Sequence, residues 1–263
     1  MSAPLQASPS RLITIGISHY CEKARWALER AGLPFVEEPH VPPFHAPASL
    51  LAGGNRTVPV LVAPGRTLTD STPILHWVDE QLPEPARLFP ADPTLRAEVV
   101  ALEERFDKDV GPHSRRLTYF HLLAHRELAI RVMTKGIVGF EATFLPLGFP
   151  VVAFIMRSAM KIDAEGANRS LNALTQVIWD VNQRLADGRR YLCGDRFTAA
   201  DLTFASLIYP VLWTPELTQG GPTVAELPAA FSQQIQAWRQ TPAGAFGLRL
   251  YAQDRRRSAW GPS

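Results

Sequence analysis

Four prolines fall within the 13 residues from Gln81 to Pro93, and the rhythm of the chain changes across them. Before them, strand and helix signals alternate. "RLITIGI", Arg11 to Ile17, has the β-branched character of a short strand. Glu22 to Ala31 carries Ala24, Ala27, Leu28 and Ala31 at helical spacing, with Gly32 and Pro34 as its stop. Pro34 to Glu38 predicts a second strand, and the proline-rich stretch His40 to Ala48 a loop. "VPVLV" (Val58 to Val62), a Gly65 turn and "RTLTD" (Arg66 to Asp70) predict a hairpin. Ser71 then caps a helix that has Pro73 in its first turn.

Past the prolines the strand signals stop. Asp92 caps a helix with Pro93 at its first position, and Leu95, Val99, Leu102, Phe106 and Val110 form one apolar stripe. A second helix is expected near Ala164 to Ala186, ended by Gly188. A third follows Thr198, and a fourth covers Ala225 to Arg239. The expected organisation is an α/β unit over residues 11–82, a linker over 83–94 and an all-helical unit over 95–250.

Composition narrows the function classes. The 263 residues hold 27 Lys plus Arg against 25 Asp plus Glu, which gives no reason to propose nucleic acid as a partner. Arg255-Arg256-Arg257 reads as a solvated tail. Two cysteines, Cys21 and Cys193, make no disulfide framework, so a reducing, cytoplasmic setting is expected. "MSAPLQASPSR" has no apolar run of signal-peptide length. Ala142 to Met156 is apolar, but it is shorter than a span of about 20 residues and holds Pro146 and Pro150. It is expected to be buried or pocket-lining helix and loop. No residue set is assigned to a metal.

Three motifs stand out, and two of them carry possible chemistry. "TVPV" holds Val58 extended before Pro59, so the turn is either structural or a place where a peptide adds like a strand. "TDS" (Thr69 to Ser71) opens a helix, either as an ordinary cap or as an anion site at the N-terminus. "FTAADL" (Phe197 to Leu202) has the spacing of a capping box with a hydrophobic staple and reads as structural.

Together with "SHYC" between the first strand and helix, these motifs resemble the cytosolic glutathione transferases over roughly residues 11–245. That family joins a thioredoxin-like α/β domain to an all-α helical bundle. The resemblance implies a cis proline at Pro59, with the backbone of Val58 meeting glutathione. It implies that Asp70 faces the ammonium of glutathione and Ser71 the adjacent carboxylate. Thiol exchangers of this fold attack through the first cysteine of C-x-x-C, but that position here is Ser18. A serine cannot form a mixed disulfide. It can hydrogen-bond the sulfur of glutathione and favour its thiolate. Cys21, in the helix's first turn, is either buried filler or an auxiliary redox thiol. Tyr20 offers a hydroxyl or lines the entrance. Arg56, with His45 as a second candidate, would pair with the glycine carboxylate. His19 is expected as a surface or pocket-wall residue.

The apolar stretch between Leu117 and Lys161 departs from the family's pattern. It could wall a larger pocket, form a dimer face, touch a membrane or extend the core. The resemblance implies a glutathione S-transferase that conjugates the glutathione thiolate to a small apolar electrophile, in a homodimer. The alternatives are a glutathione-dependent thiol reductase working through Cys21 and a non-catalytic glutathione- or ligand-binding relative.

Overall fold

A computed structural model describes residues 9–255. The N-terminal part runs β1 (Ser10–Ile15), α1 (His19–Arg30), β2 (Phe35–His40), α2 (His45–Leu51), β3 (Val60–Ala63), β4 (Arg66–Thr69) and α3 (Ser71–Glu80). The strands form one sheet in the order β2-β1-β3-β4, with β1 and β2 parallel and the other pairs antiparallel. Leu12 and Ile13 of β1 and Val60 and Leu61 of β3 are fully buried. The sheet is therefore covered on both faces, as its parallel pair requires.

Local chemistry sets the ends of these elements. Ser18 is the N-cap of α1, its hydroxyl accepting from the backbone N–H of Cys21 at 3.4 Å. The helix thus begins at His19, a turn earlier than its apolar spacing predicts. At α3 the cap is Asp70 rather than Ser71, because the Asp70 carboxylate takes the Ser71 N–H at 2.5 Å. Part of the expected loop at 40–48 is the helix α2, with Pro47 at its third position, where no intrahelical N–H is needed.

The helical part holds α4 (Pro93–Asp109), α5 (Gly111–Leu122), α6 (Arg126–Met133), α7 (Phe140–Met160), α8 (Ala164–Leu185), α9 (Ala199–Leu212), α10 (Pro215–Thr218), α11 (Ala229–Arg239) and α12 (Pro242–Gln253). α9 is buried along its whole length and forms the axis of the bundle. Its capping box is present: Asp201 accepts from the N–H and hydroxyl of Thr198 and from the N–H of Leu192.

α1 joins the two parts. Fully buried Lys23 reaches across to α3 and α4, donating to Thr72 at 2.8 Å and Asp107 at 2.9 Å and pairing with buried Glu103. Arg255, expected in a solvated tail, is instead folded back onto α1, where it pairs with Glu22 at 2.8 Å and with Glu29. Arg256, Arg257 and residues 1–8 lie outside the described residues.

The stretch expected as helix and loop is the continuous 21-residue α7, running through both prolines. Pro150 has no N–H for the carbonyl of Pro146, and the Arg126 guanidinium donates to that carbonyl at 2.8 Å instead. Glu141, in the first turn, accepts from His40 Nδ1 at 2.7 Å and from the Val41 N–H at 2.9 Å, which ties α7 to the end of β2. One face packs inward through Leu145, Phe149, Val152 and Met156. The other is apolar yet exposed: Phe140, Phe144, Leu147, Val151 and Phe154 recur at spacings of four and three. Among the described residues α7 alone is long and apolar enough to cross a membrane.

Candidate functional site

A cleft of about 1010 Å³ opens between the two parts, at the N-terminus of α1. That lies at the upper end of the roughly 300–1,000 Å³ of single small-molecule sites. The sheet side contributes Ser18, Tyr20, His45, Arg56, Thr57 and Val58. The helical side contributes apolar Tyr119, Leu122, Val152, Met156 and Trp213, with Arg115 and Thr118 among them.

Ser18 is half-buried at the head of α1. Its oxygen accepts from the Cys21 N–H at 3.4 Å, and its hydroxyl also bonds the Cys21 thiol, which works against the upward push of burial on that thiol's pKa. The hydroxyl borders the cleft, where rotation about its C–O bond can redirect its proton to a ligand. Val58 precedes a cis proline, as the family resemblance implies, and lines the cleft; Pro59 is buried behind it. Arg56 is exposed, with no ion pair among the described residues.

Four further candidates lie around this wall of the cleft. Cys21 has no exposed surface, is not among the cleft's lining residues, and burial pushes its thiol up to about 11. An exposed, low-pKa thiol is what reactivity needs, and Cys21 is neither. Tyr20 borders the cleft, but its hydroxyl donates to the Asp107 carbonyl at 3.1 Å, between the two parts. Ser71 is fully buried, with its N–H and hydroxyl both turned onto Asp70 Oδ1. Asp70 is exposed, its second oxygen takes no hydrogen bond among the described residues, and its backbone is held at φ 82°. Such backbone strain in a non-glycine residue concentrates at functional positions. Neither Asp70 nor Ser71 lines the cleft itself.

His19 lines the cleft wall, as one of its two expected placements has it, and is not at the surface. It is buried, its Nε2 lies 2.8 Å from the Gly111 carbonyl, and burial pushes its pKa down to about 3. It is neutral and serves the contact between α1 and α5. Gly111 is required there, because a Cβ would fall 2.1 Å from the Tyr20 hydroxyl oxygen.

Sequence reading missed the helical wall. Arg115, Thr118, Tyr119 and Leu122 stand at i, i+3, i+4 and i+7 on α5, and all four line the cleft. The spacing is legible in the sequence, but not the surface it faces.

Residues 12–86 match the family model for the glutathione S-transferase N-terminal domain. No curated protein sequence matches the chain. Among solved structures, a glutathione S-transferase from Methylobacterium radiotolerans, in complex with glutathione sulfonate, is 21% identical with a TM-score of 0.53, the match covering 97% of this chain and 98% of that one. The beta-etherase LigF of Sphingobium sp. strain SYK-6 is 18% identical with a TM-score of 0.59, over 91% of this chain and 98% of that one. Glutathione transferase F2 of Populus trichocarpa is 18% identical with a TM-score of 0.56, over 93% and 99%. The N-terminal domain is thus that of the glutathione S-transferase family, and the chain as a whole has the glutathione transferase fold.

Proposed function

We propose that the protein is a cytoplasmic glutathione transferase whose Ser18 activates the thiol of glutathione for attack on an apolar electrophile. The observation that carries this reading is the place of the Ser18 hydroxyl, at the head of α1 on the wall of a cleft polar on its sheet side and apolar on its helical side. Glutathione fits the groups present. Arg56 has no partner and suits the glycine carboxylate. The extended turn at Val58 suits the peptide backbone. The second oxygen of Asp70 suits the ammonium. The bound glutathione of a structural relative lends support, since that ligand is a sulfonate analogue at the reacting sulfur.

In this reading glutathione supplies the thiol, whose proton passes to solvent. Ser18 donates a hydrogen bond to the resulting thiolate, and the α1 N-terminus adds its positive end. The sulfur lone pair forms the new C–S bond. In a substitution the leaving group departs with its bonding pair; in an addition the displaced pair takes a proton. The helical wall positions the electrophile and excludes water.

Ser18→Ala is expected to lower conjugation at neutral pH by about 10²-fold, through loss of one preorganised donor to an anion. Cys21→Ser is expected to leave it largely intact, because Cys21 is buried with a raised pKa. Unchanged turnover in the first variant, or lost turnover with normal folding in the second, would reject the assignment. A cytoplasmic setting accords with Cys21 and Cys193 both being free thiols.

A homodimer belongs to the same reading. The family pairs the first domain of one chain with the second domain of its twin, and α7 adds a further face here. Its exposed stripe offers on the order of 700 Å² of side chain, near the roughly 800 Å² per partner of a standard interface. The alternation of four and three is the spacing by which two helices interlock. Sedimentation equilibrium should give twice 29.1 kDa, with a shift towards 29.1 kDa in the double variant Leu147→Glu, Phe154→Glu. A parent chain that is monomeric and co-sediments with lipid vesicles would assign the stripe to a membrane surface.

A further inference from the structure

The helical wall of the cleft is not uniformly apolar. Arg115 lies within it, between the fully buried Ser114 and the ion-free stretch Leu117–Leu122. Its neighbour Arg116 is fully engaged, donating to the Met160 carbonyl at 2.8 Å and to Ser170 at 3.0 Å. Arg115 has no hydrogen bond and no ion pair among the described residues, and its Nε is shielded from solvent without an acceptor. A guanidinium carries five N–H donors in a fork that matches a carboxylate, and leaving a shielded donor unmet is unfavourable.

Of the acidic side chains bordering the cleft, Glu216 on α10 has a buried oxygen without a partner among the described residues, and the other three are committed. Glu22 and Glu37 are paired with Arg25, and Glu29 with Arg255. Arg115 lines the cleft, and its charge acts on His19, Tyr20 and Tyr119 around it. One turn along α5, Thr118 is 7% exposed, and its hydroxyl is buried without a partner. It faces the same cleft as Arg115. Two orphaned polar groups at i and i+3 are therefore followed by apolar Leu122 at i+7, with Val152 and Met156 of α7 and Trp213 also on the cleft wall. The stripe is polar at one end and apolar beyond it.

We propose that the second substrate is an apolar molecule bearing a carboxylate, held by Arg115 with Thr118 while its apolar body lies against Leu122, Val152 and Met156. This rests on the reading of the cleft as a glutathione transferase site, and it names the class of electrophile. Arg115 is a positioning residue: it holds the substrate by its carboxylate and takes no part in forming the C–S bond. The carboxylate could instead be that of glutathione itself, but Arg56, which lines the sheet side and has no ion pair among the described residues, is assigned that carboxylate in the proposed reading.

The first arm of the test needs neither glutathione nor turnover. Binding of 2-naphthoate and of its methyl ester is measured by titration calorimetry on the parent, Arg115→Gln and Thr118→Val, with circular dichroism to check folding. The parent is expected to bind the acid about tenfold or more tightly than the ester. Arg115→Gln should erase that preference by weakening the acid alone. Thr118→Val, which keeps the side chain's shape, should reduce the preference severalfold, so the proposal stays testable if Arg115→Gln misfolds. Equal binding of acid and ester by the parent, or a preference unchanged in the folded variants, would overturn it.

The second arm compares glutathione conjugation of 4-chloro-3-nitrobenzoate and its methyl ester. Arg115→Gln should raise KM for the acid and leave KM for glutathione unchanged. A raised KM for glutathione, with the acid-to-ester ratio constant, would hand Arg115 to glutathione and overturn the proposal. If the parent conjugates neither compound, the transferase reading fails, while the binding arm still decides whether the cleft takes a carboxylate.

Discussion

Lys23 offers the sharpest test of how the two parts are held in register. Its side chain is fully buried, and so nearly is that of Glu103, while Asp107 remains partly hydrated. Lys23→Met keeps the length of the side chain and removes its charge. The Glu103 carboxylate then stays buried with only the Thr72 hydroxyl, 2.8 Å away, to bond it. Removing one partner of a buried ion pair costs about 3–5 kcal/mol, because the other charge is left uncompensated. Glu103→Gln should cost less, on the order of 1–3 kcal/mol, since Lys23 retains Asp107 and Thr72. Replacing both charged groups, as Lys23→Met with Glu103→Gln, removes the stranded charge. The pair should then be more stable than Lys23→Met alone by at least about 1 kcal/mol. Urea unfolding followed by tryptophan fluorescence measures all four proteins, with fully buried Trp26 on α1 as a reporter. A loss below about 1 kcal/mol in Lys23→Met, or additive single effects, would refute the view that this cluster carries the α1–α3–α4 junction.

Two further outcomes are expected. Gly111→Ala would place a Cβ 2.1 Å from the Tyr20 hydroxyl oxygen and 2.5 Å from its ring carbon, so Tyr20 must leave its bond to Asp107. Overpacking plus the lost bond should destabilise by about 2–4 kcal/mol, read as a lowered urea midpoint, and Tyr20→Phe in the same background should not restore it. The pH dependence follows from His19, whose pKa is about 3 in the folded chain against 6.5 when unfolded. Between those values the unfolded chain binds a proton that the folded chain refuses, so stability falls as pH drops through that window. From pH 7 to pH 5 this contributes about 2 kcal/mol of loss. His19→Gln, which keeps a donor for the Gly111 carbonyl but does not titrate, should lose about that much less over the same interval; equal losses would refute the assignment.

The sequence by itself determined what acts over a few residues of backbone. The strand over Arg11–Ile17, the caps at Asp92 and Thr198 and the stop at Gly188 follow from hydrogen-bonding groups and backbone conformations that neighbours in the chain supply. The position of Ser18 ahead of a helix was legible for the same reason. Two local expectations fail: Asp70 takes the cap from its neighbour Ser71, and Arg126, 20 residues away on another helix, bonds the carbonyl that Pro150 leaves bare. Only the tertiary structure decided which way side chains face and what they meet. Cys21 and Ser18 sit three residues apart, yet one is sealed in the core and the other opens on the cleft. Lys23 finds Glu103 80 residues away, and Arg255 finds Glu22 at a separation of 233. Arg115 and Arg116 are identical neighbours whose fates differ by a rotation of about 100° around α5, one engaged and one facing the cleft. Burial and pairing depend on packing between elements distant in the chain, and no local spacing encodes which face of a helix another element will cover.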